Sequence, residues 1–206
     1  MLDRPLRRIT VPALDRLAAI VAGTHVRPGG LTLAGLAVGL GAAVAAGVGR
    51  WRFALAAWLV SRVFDGLDGV VARRRDPAGH GDELGGYWDI TADFTVYAAF
   101  VVGVAVELPD ARLAAVATLA AYYVNACAFL AFSSIAERRR LTGGDERSLQ
   151  FGTGLAEGTE TILAYVAVCL WPSHAAGILW VWAAIVAVTA AQRVWLGSRA
   201  LRATGG

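Results

Sequence analysis

Long apolar stretches alternate with short, arginine-rich polar ones along this chain, a pattern that predicts a bundle of membrane-crossing helices. Six apolar stretches stand out, at about 31–49, 53–72, 88–107, 111–134, 159–172 and 175–196. A helix of about 19 residues covers roughly 28 Å, close to the roughly 30 Å hydrocarbon core of a bilayer. The fifth stretch is the shortest and is expected to begin earlier, near Leu155. Ahead of the first, residues 9–23 place Val11, Leu14, Leu17 and Val21 at helical spacing, with Asp15 and Arg16 between them. That spacing predicts a short amphipathic helix lying in the membrane interface. The expected fold is an all-α integral membrane protein of six transmembrane helices plus this N-terminal interfacial helix, with residues 1–206 forming one membrane-embedded domain.

Composition sharpens this picture. The chain is 57% apolar, and six spans in 206 residues leave no room for a separate soluble domain. The start, MLDRPLRRITVPALDR, is too polar for the apolar core of a signal peptide. Every basic residue is arginine, and a net charge of +3 with no aromatic-plus-basic repeat argues against nucleic acid as a partner. With both termini on one side, that side collects fifteen arginines: Arg4, Arg7, Arg8, Arg16, Arg27, Arg73, Arg74, Arg75, Arg138, Arg139, Arg140, Arg147, Arg193, Arg199 and Arg202. The opposite side holds only Arg50, Arg52 and Arg112. The positive-inside rule therefore puts both termini in the cytoplasm, in a bacterial or archaeal cytoplasmic membrane. Cys127 and Cys169 lie within apolar runs and are expected to be small buried hydrophobes. His25, His80 and His174 share no metal-ligand spacing and read as surface or interface residues.

Candidate chemistry concentrates at residues 65–93. Asp65 and Asp68 are three apart, and Asp89 and Asp93 are four apart, so each pair projects from one face of a helix. The pairs fall at the cytoplasmic end of the second span and the start of the third, where they would bring four carboxylates into one small volume. So many negative charges repel strongly unless a cation joins them. Oxygen-only ligands favour Mg²⁺ or Mn²⁺ over zinc. Arg62, inside the second span and three residues before Asp65, either pairs with this cluster or snorkels towards the helix end. Gly66, Gly69 and Gly85 would let a nucleotide or a neighbouring helix approach the backbone, Gly66 and Gly85 as close-approach positions between spans. Gly35 and Gly39 form a further small-xxx-small pair on the first span, which suits helix packing and permits a dimer.

The series Asp65-x-x-Asp68-Gly69-x-x-Ala72-Arg73, then Gly85-x-x-x-Asp89-x-x-x-Asp93, resembles the signature of the CDP-alcohol phosphatidyltransferases, integral membrane enzymes that make phospholipids. Pro28-Gly29-Gly30-Leu31-Thr32 is similar to the family's lead into its first span, with Gly29 in place of the usual Asn. Gly154-Leu155-Ala156-Glu157 resembles a Gly-x-x-Glu element found before the fifth span in some members. The resemblance implies metal-dependent transfer of a substituted phosphoryl group, such as phosphatidyl from CDP-diacylglycerol, to an acceptor hydroxyl with release of CMP. It implies Asp65, Asp68, Asp89 and Asp93 as ligands of two Mg²⁺ or Mn²⁺ ions, with Asp93 also the catalytic base. It places Gly69, Ala72, Arg73 and Thr32 on the nucleotide, with a CDP-linked lipid as donor, membrane lipids as surroundings and a homodimer as the assembly. Three departures mark this chain. The segment between Arg73 and Gly85 is longer than the family's commonest spacing, Asp82 stands where many members carry Ser or Thr, and Phe94 replaces a Lys or Arg common in enzymes that use phosphorylated acceptors. The motif leaves the acceptor open.

Secondary features carry two readings each. Arg138, Arg139 and Arg140 suit either anionic lipid or an acceptor phosphate, and Glu157 and Glu160 either cap the fifth span or contact the acceptor. Two rival functions are a small transporter or cation carrier using the aspartates as a transit site, and a non-catalytic lipid-binding member of the family. Transport favours ionisable groups near midmembrane, whereas these acids gather at one face. Retention of all four aspartates speaks against lost catalysis.

Overall fold

The computed structural model describes residues 28–75, 83–138 and 158–203. Among them are six α-helices and no strand: α1 Pro28–Gly47, α2 Trp51–Arg75, α3 Glu83–Glu107, α4 Arg112–Arg138, α5 Gly158–Leu170 and α6 Ala175–Ala203. Single 3₁₀ turns at Pro109–Ala111 and Pro172–His174 lead into α4 and α6. Proline opens both turns, where a missing N–H costs nothing. Each apolar stretch read from the sequence coincides with a helix. The interfacial helix expected at 9–23 lies outside the described residues, as do His25 and His80.

Among the described residues, four stretches are long and apolar enough to cross a membrane: Gly29–Gly47, Leu84–Glu107, Pro109–Arg138 and Pro172–Arg202. α2 has the length, at 25 residues, but its second half carries Arg62, Asp65, Asp68 and three consecutive arginines. α5 is apolar yet only 13 residues long, which as helix spans roughly 20 Å.

α1 packs most extensively on α2 and α3, and α4 on α6; α5 touches α2 and α6 and so ties the two groups together. Between α1 and α2 the chain reverses within Val48–Arg50. Gly49 adopts φ +72°, and the Arg50 N–H returns to the Ala45 carbonyl at 2.8 Å, an αL helix stop that favours glycine. Small residues set the α1–α3 crossing. A Cβ added to Gly103 would collide with the Ala43 carbonyl oxygen, and one added to Gly39 would lie 2.6 Å from Val96 Cγ1. Gly35 faces Phe64 and the Ser61 carbonyl of α2, so the Gly35/Gly39 pair is spent on contacts within one chain.

At the centre, Trp58, Phe100 and Tyr165 are fully buried, with Phe100 and Tyr165 stacked at 4.6 Å and Trp58 4.8 Å from Tyr165. Polar tips of these aromatics are joined across helices. Tyr165 donates its hydroxyl to the Tyr97 carbonyl at 3.0 Å, its oxygen lies 3.0 Å from Tyr122 Oη, and Trp182 Nε1 donates to Tyr122 Oη at 2.6 Å. In a bilayer such groups have no water to fall back on, so they must find each other. Cys169 is buried as expected, but Cys127 is exposed. The outer face of α4 is as apolar as its inner face, and an apolar neighbourhood in sequence does not mark burial there.

Candidate active site

Asp65 and Asp68 lie on α2, and Asp89 and Asp93 lie near the start of α3. Three to four residues return a helix to the same face, so each pair points together, and α1, α2 and α3 enclose the space between. Thr32, Gly35, Asp65, Asp68, Asp93 and Val96 line a cavity of about 10 Å³ here, room for roughly one water-sized object. Asp65 is an electrostatic neighbour of both Asp93 and Asp89, and Asp68 of the same two residues.

Each carboxylate is held differently. Asp68 is buried, and Thr32 of α1 donates its hydroxyl to Asp68 Oδ2 at 2.7 Å. Asp93 accepts from Arg62 Nη1 at 2.6 Å on Oδ1 and from Tyr97 Oη at 3.4 Å on Oδ2. The same Arg62 nitrogen lies 3.6 Å from Asp65 Oδ2. Arg62 therefore pairs with the acidic cluster and does not snorkel; its side chain is only 6% exposed. Asp89 is partly exposed.

The guanidinium is fixed from every side. Its central carbon lies 4.9 Å from the Trp58 ring centre and 5.1 Å from that of Tyr97. Nη2 donates to Ser61 Oγ at 3.1 Å, and Ser61 in turn donates to the Gly35 carbonyl at 2.8 Å. Trp58, Tyr97 and Ser61 were not candidates from sequence. A tyrosine four residues after Asp93 on one helical face, and a tryptophan four before Arg62, are the signals that could have found two of them.

The other expected positions are distributed around this centre. Gly66 and Gly69 are partly exposed on α2 and Ala72 is exposed one turn beyond Asp68, while Gly85 opens α3 one turn before Asp89. Gly39 and Gly103 bear close helix approaches of their own. Arg73 belongs to the last turn of α2, and its side chain lies outside the described set, as do Asp82, Arg139, Arg140, Gly154 and Glu157. Glu160 stands in the first turn of α5, Arg138 ends α4 exposed, and His174 is exposed. Phe94 is exposed.

Four aspartates and a threonine hydroxyl offer only oxygen donors, the chemistry that suits a hard divalent cation. Among the described residues, no three carboxylates are spaced to chelate one ion, and the Arg62 guanidinium lies against two of them.

Residues 25–194 match the family model of the CDP-alcohol phosphatidyltransferases. Inner membrane protein YnjF of Escherichia coli (strain K12) is 35% identical over 205 residues, covering 98% of each chain. Among solved structures, phosphatidylinositol phosphate synthase (PgsA1) of Mycobacterium tuberculosis in apo form shares the fold with TM-score 0.67 and 20% identity, over 88% of this chain and 94% of that one. The same protein with CDP-DAG bound gives TM-score 0.65 and 23% identity, over 92% and 94%. Its complex with manganese and citrate gives TM-score 0.67 and 20% identity, over 90% and 88%.

Proposed function

Because this chain belongs to the CDP-alcohol phosphatidyltransferase family, and is a transferase of that class, we propose that the α2–α3 carboxylates are its reaction centre. The observation that carries the reading is the convergence of Asp65 and Asp68 with Asp89 and Asp93 at one end of the α1–α3 group. The donor is a CDP-linked lipid, as in the CDP-DAG-bound relative. The acceptor is an alcohol whose class the motif leaves open.

Asp65, Asp68, Asp89 and Asp93 would hold Mg²⁺ or Mn²⁺ once drawn closer together than they lie in the ion-free arrangement, with Asp93 serving a second ion; a relative with manganese bound supports the metal class. When bound, such ions neutralise the pyrophosphate and the attacking and leaving oxygens. Asp93 takes the proton from the acceptor hydroxyl. The acceptor oxygen forms its bond to the phosphorus distal to cytidine as the bond from that phosphorus to the CMP oxygen breaks, and CMP leaves. Gly69 and Ala72 leave space beside cytidine, and Arg73 offers a fork of donors to phosphate oxygens. Thr32 reaches this chemistry through its hydrogen bond to Asp68. Gly66 and Gly85 keep the α2 and α3 backbones accessible to each other and to the ligand.

All six helices cross or enter the bilayer, with residues 9–23 lying in its interface, the whole chain one domain, and both termini and the carboxylates on the cytoplasmic side. Arginine asymmetry supports that orientation. The short α5 and the charged end of α2 are accommodated beside the site, where protein or water replaces lipid. A homodimer is the proposed assembly. Test: the detergent-purified protein is given CDP-diacylglycerol and a panel of alcohols, and CMP is followed with Mg²⁺, with Mn²⁺ and with chelator. CMP release that requires both a metal and one acceptor class supports the reading; none with any combination sinks it.

A further inference from the structure

Arg62 has no part in the reaction as set out above, yet its side chain is held from several directions at once. Trp58 and Tyr97 each hold a ring within about 5 Å of the guanidinium, Ser61 takes Nη2, and Nη1 is shared by Asp93, Tyr97 and Asp65. Its Nε–H is buried with no hydrogen-bond partner. A buried cation that leaves a donor unmatched is costly, and hydrophobic residues of similar volume would commonly be no worse for stability. Stability alone therefore gives a poor reason for an arginine here.

We infer that Arg62 is a positioning residue with a second consequence: it fixes the Asp93 carboxylate for proton transfer, and it competes with the divalent ion for the facing oxygens of Asp65 and Asp93, thereby setting how tightly the site takes metal. The inference rests on the metal-site reading proposed above. The geometry is direct. Asp93 Oδ1 and Asp65 Oδ2, the oxygens turned towards the guanidinium, are ones that a cation between α2 and α3 would draw on. Stacking on two rings prevents the guanidinium from swinging clear. The guanidinium formally offsets one of the four carboxylate charges, and this resident positive charge is there before any ion arrives. A site tuned in this way holds its metal less tightly than four aspartates alone would, and keeps its base aligned in exchange.

A simple structural role and this one predict opposite signs for metal binding. Mn²⁺ binding, by titration calorimetry and electron paramagnetic resonance, is measured on wild type, Asp65→Ala, Arg62→Gln, Arg62→Met and Arg62→Lys, each checked for cooperative thermal unfolding in detergent. CMP release is measured beside it. Arg62→Gln or Arg62→Met is expected to bind Mn²⁺ about tenfold tighter or more, because a nearby positive charge is gone, while turnover falls at least tenfold. Equal or weaker Mn²⁺ affinity in a folded variant overturns the inference while the metal site stands. Should both neutral variants fail to fold, Arg62→Lys decides. It keeps the charge and loses the fork, so Mn²⁺ affinity stays within about threefold of wild type and turnover still drops; full turnover overturns the positioning role. Wild type that binds Mn²⁺ no better than Asp65→Ala overturns the inference together with the metal reading beneath it.

Discussion

Thr32 donates its hydroxyl to Asp68 Oδ2 at 2.7 Å, across 36 residues of sequence and from one helix to the next. Asp68 is thereby aimed by α1 although it belongs to α2. Hydrogen bonds to a charged group contribute about 1.5–3 kcal/mol, so Thr32→Val is expected to lower CMP release roughly ten- to hundredfold. Thr32→Ser keeps the hydroxyl and is expected to retain most activity. Equal activity in Thr32→Val and wild type would show that Asp68 needs no such support.

Asp93→Asn removes the proposed base and keeps nearly the same shape. Turnover is expected to vanish to background while CDP-diacylglycerol binding, followed by its effect on thermal unfolding, persists. Near-normal turnover would assign the proton transfer elsewhere.

Asp65→Ala deletes a proposed ligand, and Mn²⁺ affinity is expected to fall at least tenfold, roughly 1.4 kcal/mol or more. Unchanged affinity by calorimetry would remove Asp65 from the ligand set.

Two glycine substitutions separate close approach from helix preference. Gly103→Ala drives a methyl group into the Ala43 carbonyl, whereas Gly41→Ala meets open space. Gly103→Ala is expected to destabilise by about 2 kcal/mol or more, in line with overpacking elsewhere. Gly41→Ala is expected to be neutral or slightly stabilising. Thermal unfolding in one detergent checks the pair, and equal shifts would refute the crossing as described.

Tyr165→Phe keeps the stacked ring against Phe100 and deletes the hydroxyl that serves the Tyr97 carbonyl and Tyr122. Interhelical hydrogen bonds in membranes average about 0.6 kcal/mol, so a small loss of thermal stability with near-normal CMP release is expected. A collapse of activity would tie this aromatic column to the reaction.

Much of the candidate site was legible in sequence because the spacing of its carboxylates is local. Asp65 with Asp68, and Asp89 with Asp93, sit at spacings that fix a shared helical face whatever the tertiary fold. The helices were legible too, since a run of apolar residues in a chain of this kind has few other fates. What lay hidden depends on which face of an apolar helix turns inward. Lipid-facing and core-facing residues have similar hydrophobicity here, so Cys127 read as buried and is exposed. For the same reason nothing in the sequence singles out Trp58, Tyr122, Tyr165 and Trp182, although their polar tips are matched across helices. Arg62 had two readings in sequence, and only its position beside Asp93 selects one.

Gly103 stands ten residues along α3 from Asp93, roughly 15 Å of helix away. The crossing there works like the rivet of a pair of tongs: it lies far from the carboxylates, yet it fixes how α1, which carries Thr32, meets α3, which carries Asp93. Substitutions that lower CMP release are therefore expected in two separate places, at the proposed reaction centre and at the rivet, the second without altering any proposed reactive group.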